Sequence, residues 1–493
     1  MDEEYTFPPR RTNGVLGKVT VAQLLTIVIA IGLPWWGIRS GSVGAFAALA
    51  AVGCLLVWLA FTRVGGRHLT AWCRPVVAAM WSRLRGLTSY RGAVFAPSSL
   101  RERMDLPGDL VHLRMLSAPH TDGRTRIGLV VDDHAGTVTA ALLTEGTPIV
   151  LEESTEQAGR LNDWEAVMES TCDSDSAVVR WQLLVRSMPD TTNTAQQYYL
   201  DRVQDPEQTA AQALRELVAH AAPSGQRHEV FFVVSFGLAG LASEVRAAGG
   251  GDEALGVVVV ERLAEIQRQM ADARIPTQGW LTPGHYAAVI HTQFDPDSLP
   301  LYDPSGHAAE IDSRTAGPSA TERQWALFLH DSAVSSTVWV HELPRRPVTG
   351  SWLSPLLQQT DLRRSITLVA EPLDTARAEK SISSQRLAAA GSIYLKERHG
   401  LVVDARTQKE LDAAQRLDDE LAGGEGYFRY SMFVCCSAPD PDQLRRAVAS
   451  VRRKLTRARC SSMVLFGEQD QAFFAAALPL ARGLAPMRGV TGS

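Results

Sequence analysis

The 493-residue chain contains no GxxxxGK[ST] stretch. It therefore lacks the loop in which backbone N–H groups and a lysine surround the phosphates of a nucleotide. Its one Gly-Lys pair, Gly17-Lys18, has neither the leading glycine nor a following Ser or Thr. HExxH and GxSxG are absent as well, which removes the zinc-protease helix and the nucleophile elbow. Six cysteines are few for this length. Cys54, Cys73, Cys172 and Cys460 are isolated, while the adjacent Cys435 and Cys436 fall on one predicted strand and so point to opposite faces. No disulfide framework or metal knuckle follows, and a reducing compartment is expected. Of the twelve histidines, His285 and His291 have the wrong spacing for one helix face. His330 and His341, on successive hairpin strands, lack a third ligand. Asp132-Asp133 has the chemistry of a turn. These absences leave no recognised catalytic, cofactor or metal motif, and nothing in the sequence selects a general acid/base pair.

What is present begins with a charge asymmetry. Residues 1–91 hold ten Lys/Arg and three acids, hence +7, which leaves −12 for the rest of a chain of net charge −5. Val19 to Ile38 and Ser40 to Thr62 are uncharged runs long enough, by count, to cross ~30 Å of hydrocarbon. No small-residue cleavage site separates them, which argues against a signal peptide; a pair of buried core helices is the other alternative. The expectation is a membrane hairpin over residues 1–91. Lys18, Trp35, Trp36, Arg39, Arg63 and Arg67 would lie at the lipid interface and a basic helix, kinked at Pro75, would follow. Arginines flank the hairpin and only Arg39 lies in its loop, so the positive-inside bias predicts a two-pass cell-membrane protein with both termini cytoplasmic.

Beyond a polar linker, strands and helices alternate in one order used twice, over residues 109–295 and 320–482. "LVRSMPDT" (Leu184 to Thr191) and "LVAEPLDT" (Leu368 to Thr375) match as a strand end, a proline corner and an Asp-Thr helix start. The expected fold class is α/β (α+β), a transmembrane hairpin followed by two tandem ferredoxin-like, split βαβ units. Late in the chain, Leu444, Val448, Val451 and Leu455 form an apolar stripe among Arg445, Arg446, Arg452, Arg453 and Lys454. The stripe should pack on the sheet and turn those cations outward. They form a solvated face, or a docking face for an acidic protein partner or for DNA passing nearby, the protein being the better of the two. No aromatics interleave with them, which speaks against base stacking and sequence-specific nucleic acid binding.

"VWVHELPRRPVTGSWLSPLL", "SITLVAEPLDTARAEKSI" and "YFRYSMFVCC" followed by "PDPDQLRRAVASVRRKL" resemble the N-terminal, non-catalytic region of TraC-type conjugative ATPases of type IV secretion, across about residues 325–480. "GKVTVAQLLTIVIAIGLPWW" is similar to the start of their small two-span PrgI-like partners. As a whole the chain resembles the integral membrane protein of actinobacterial conjugation-type loci. The resemblance implies a scaffold in an oligomeric complex that touches lipid and docks a separate P-loop ATPase, with Asp374 a helix cap and Glu371 a strand-end acid. A type VII secretion component of the EccE kind and a membrane-anchored enzyme are the alternatives.

Overall fold

The computed structural model describes residues 7, 21–39, 41, 43–64, 67–93, 103–145, 154–173, 175–189, 199–221, 226–302, 311–344, 346–349, 352–357, 363–398, 405–423 and 426–483. The N-terminal region forms α1 (Val21–Arg39), α2 (Val43–Phe61), the two-residue strands β1 (Arg63–Val64) and β2 (Arg67–His68), α3 (Leu69–Leu84) and β3 (Ser89–Arg91). The first half of the body follows with β4 (Leu113–Pro119), β5 (Arg126–Asp132), β6 (Thr137–Thr144), α4 (Ser154–Glu169), β7 (Val178–Pro189), α5 (Thr209–Ala221), β8 (Gln226–Gly237), α6 (Leu238–Ala247), α7 (Gly251–Asp272), β9 (Thr277–Trp280) and α8 (Pro283–Phe294). The second half comprises β10 (Ala320–Arg323), β11 (Phe328–His330), β12 (Ala333–Glu342), α9 (Ser354–Leu357), β13 (Arg364–Leu373), α10 (Thr375–Arg398), α11 (Ala405–Ala422), β14 (Tyr427–Ala438), α12 (Pro441–Arg457), β15 (Ser461–Val464) and α13 (Gln469–Ala477).

The expected fold class is corrected on two counts. Among the described residues no helix is long and apolar enough to cross a membrane, so the transmembrane hairpin and the two-pass, both-termini-cytoplasmic placement are not what the structure holds. α1 and α2 are 19 residues each, about 28 Å at the α-helical rise, against ~30 Å of hydrocarbon. α1 also carries Pro34 and a fully buried Gln23, whose side-chain amide donates to the Ala60 carbonyl at 3.1 Å. The two helices pack closely where a Cβ on Gly53 would stand 2.7 Å from the Ala30 carbonyl oxygen.

The second correction concerns the body. In place of two separate tandem units there is one antiparallel sheet of 13 strands, ordered β3-β10-β11-β12-β14-β13-β7-β8-β6-β5-β4, with β15 on β12 and β9 on β6. Each half contributes the same run, β9-β6-β8-β7 and β15-β12-β14-β13. The halves join where β7 pairs β13, from Arg364↔Ser187 to Ala370↔Trp181. Matching the ladders in both halves makes Leu183 equivalent to Ile366 and Pro189 to Pro372. The two copies of the strand are therefore related by an axis through the pair Leu184↔Thr367. Leu373 is the extra residue that shifted the sequence match by one.

Helices cover both faces. α8 and α13 share one face, where Tyr286, Phe294, Phe328, Phe433, Phe473 and Phe474 form a core that runs across both halves. On the opposite face α7 and α4 cover the first half and α12 the second. The seam also clamps the end of the chain. Gln182, fully buried on β7, donates to the Leu478 carbonyl at 3.0 Å and accepts from the Ala481 N–H at 2.7 Å, while the Thr367 hydroxyl donates to the Ala476 carbonyl at 2.6 Å.

Candidate functional sites

The expected docking face forms as α12. Asp440 caps it, its carboxylate accepting the N–H groups of Asp442 and Gln443 at 2.9 Å, with Pro441 at the first helical position. Leu444, Val451 and Leu455 are buried and Val448 half-buried against the sheet. Burial of each such side chain favours this orientation by ~1.5–3 kcal/mol. An exposed ion pair such as Arg445–Asp442 contributes ~1 kcal/mol or less. The stripe therefore sets the helix rotation, and Arg445, Arg446, Arg452, Arg453 and Arg457 are exposed as a consequence, with Lys454 half-buried.

The residues expected at a lipid interface are scattered. Trp35 and Trp36 are 73 and 77% exposed on α1, which ends at Arg39. Arg63 and Arg67 lie on the small ribbon whose register is Arg63↔His68 and Val64↔Arg67. Lys18 lies outside the described residues. α3 contains Pro75 and is fastened to the second half, not set apart from it. Trp72 packs on Trp325 and Phe466 at centroid distances of 5.9 and 5.8 Å, and Arg323 joins the Ser82 hydroxyl to Asp470.

Asp374 caps α10, accepting the Arg377 N–H at 2.7 Å. Glu371 stands between Arg180 (3.0 Å) and Arg429 (2.8 Å). His330 and His341 are not neighbours. His330 faces Ala333 across the hairpin, and His341 lies at the far end of β12 against Trp339. Among the described residues no group of three His, Cys, Asp or Glu side chains is placed to hold a metal ion.

A charged cluster that sequence reasoning missed lies at the seam. Arg186 on β7 and Glu229 on β8 are directly opposite, 3 and 6% exposed, with Nη1 and Oε2 3.3 Å apart. Arg227 Nε approaches the other Glu229 oxygen at 3.2 Å. Arg186 Nη2 donates to the Thr292 hydroxyl at 3.1 Å, and Arg363 donates to the Thr292 carbonyl from the other side of the seam. Burial lowers the Arg186 pKa against the pull of Glu229. Burial, with Arg186 nearby, brings Arg363 down to about 9. The available signal was a charge inside an apolar strand, "LLVRSM" and "HEVFF", which alternation alone does not explain.

No protein-family model matches this chain, and no curated protein matches it significantly in sequence.

Proposed function

We propose that the chain is a non-catalytic docking scaffold of a type IV secretion- or conjugation-like translocation machine, receiving a separate P-loop ATPase on the basic face of α12. The observation that carries the reading is the fixed outward presentation of Arg445, Arg446, Arg452 and Arg453 by a helix anchored on the 13-stranded sheet. A rigid row of cations on a large sheet suits an acidic protein surface, because complementary charge steers encounter and sets register more than it adds affinity. The resemblance of residues 325–480 to the non-catalytic region of TraC-type ATPases supports the choice of partner, and the absence of a phosphate-binding loop from the sequence supports an energy source on another chain.

The test is capture of a TraC-type P-loop ATPase from the same cells by wild type and by an Arg446→Glu, Arg452→Glu, Arg453→Glu variant. Reversal should weaken capture about tenfold at 0.01 M salt, where the screening length is ~30 Å, and less at 0.15 M, where it is ~8 Å. Exposed changes of this kind cost within ~0.5 kcal/mol each, so the melting temperature should hardly move. Equal capture at both salts with an unchanged melt overturns the proposal.

A further inference from the structure

Beside the seam lies a partly open cavity of about 50 Å³ between β6, β8 and α8, bounded by the turn Pro296–Leu301. Arg186 and Glu229 supply its charged wall, and Leu143, Phe231, Val289 and Leu299 part of its apolar wall. The charged pair is loose. Neither Glu229 oxygen accepts a hydrogen bond of regular geometry, although the carboxylate is only 6% exposed. A buried pair of this kind adds little net stability, since desolvation offsets most of its attraction. A carboxylate that deep gains most from a donor brought to it.

The charges on this wall limit the guest. A simple anion on Arg186 would meet Glu229 and leave its oxygens without donors. A simple cation on Glu229 would meet Arg186 and Arg227, both within 3.3 Å of that carboxylate. A molecule carrying both charges satisfies both groups. A water-sized group needs ~10–15 Å³ of such space, so the cavity takes roughly four of them.

We propose that this cavity binds a small zwitterion, an α-amino acid of glycine or alanine size, its ammonium on Glu229, its carboxylate on Arg186 and its α-carbon or methyl group against Leu143, Phe231, Val289 and Leu299. The site is independent of the basic face of α12, and the proposal does not rest on the docking reading.

Titration of the full chain with glycine, L-alanine, L-valine, propionate, isobutylamine and L-tryptophan, read by calorimetry and melting temperature, tests it. Glycine or L-alanine should bind and raise the melting temperature, and L-valine should not. Propionate and isobutylamine should bind at least about tenfold more weakly, and L-tryptophan should not bind. Glu229→Gln should lower amino-acid affinity at least about tenfold. Ala288→Leu, which fills the cavity and keeps the ion pair, should abolish binding in a chain that still melts cooperatively, and it decides the matter if the Glu229 variant does not fold. Absence of binding by both glycine and L-alanine, propionate or isobutylamine binding as tightly as L-alanine, or undiminished binding to Ala288→Leu overturns the proposal.

Discussion

The axis through Leu184 and Thr367 lays two arginine rows over one another, and they are built differently. At one end of the seam Arg180, Glu371 and Arg429 stand side by side on β7, β13 and β14. Their equivalents at the other end are Arg363, Met188 and Arg227. Both arginines are kept and the carboxylate is replaced by a thioether, with the Arg363 guanidinium 3.6 Å from Met188 Sδ. The first row is open to water, with Arg180, Glu371 and Arg429 side chains 33, 24 and 59% exposed. In the second, Met188 is buried, and the compensating carboxylate comes from Glu229 on the neighbouring strand, which also serves Arg186. One backbone plan thus carries a solvated ion pair at one end and a desolvated network at the other. The same residue types there face different dielectric surroundings, and their energies should differ severalfold.

The largest expected effect tests that difference directly. Glu229→Ala leaves Arg186 buried without its carboxylate and should destabilise the chain by about 3–5 kcal/mol in urea unfolding, because an uncompensated buried charge remains. The double variant Arg186→Met with Glu229→Leu should recover most of the loss, since an apolar pair of similar volume removes both charges. A single-variant loss under ~1 kcal/mol would mean that water reaches this end of the seam as freely as the other.

A pH dependence of intermediate size sharpens the contrast, because the buried end also holds His330. Its Nδ1–H donates to the Phe294 carbonyl at 2.6 Å, and its Nε2 lies 2.7 Å from the Ser335 hydroxyl, which donates to it when the ring is neutral. Burial, with some help from Arg363, pushes its pKa from the ordinary 6.5 down to about 4. On acidification the unfolded chain therefore takes up the proton first. The stabilisation is complete above pH 6.5 and is lost as the pH falls through 4, about 3 kcal/mol in all. His330→Gln should melt below wild type at neutral pH, with the gap closing across that window. A gap that stays constant would mean that the ring is not held neutral.

Individual elements of this fold were legible where local chemistry and tertiary packing agree, although their assembly was not. "EVFFVVSF", apolar apart from Glu229 and Ser235, lies within β8, where residues 231–236 are buried on both faces. Asp440-Pro441 starts a helix, and the four-residue stripe settles the rotation of that helix. Two features were not legible, for physical reasons. β7 and β13 carry apolar residues on both faces, so nothing in either sequence indicates that their edges pair with each other rather than facing solvent. In the N-terminal region the uncharged runs are only a count of residues, and the described helices, with Pro34 and the buried Gln23 in α1, do not reach the length and hydropathy of a membrane span. Among the site residues, the α12 arginines followed from periodicity. The Arg186–Glu229 pair depended on strand register, which a single strand does not specify.

The smallest expected effect comes from making the open row resemble the closed one. Glu371→Met would set a thioether between Arg180 and Arg429, the arrangement found at Arg363, Met188 and Arg227. The freed guanidinium groups can rehydrate, since Arg180 and Arg429 are already 33 and 59% exposed. Only the net value of two partly solvated ion pairs is lost, about 0.5–1 kcal/mol, and less in high salt. Unfolding at two ionic strengths reads both quantities. A loss that matched Glu229→Ala, or one indifferent to salt, would show that the exposed end is as desolvated as the buried end. The difference between the rows would then be one of residue identity alone. A small, salt-sensitive loss would place the cost of the second row in its burial, where Met188 keeps a second carboxylate out of a space that Glu229 already serves.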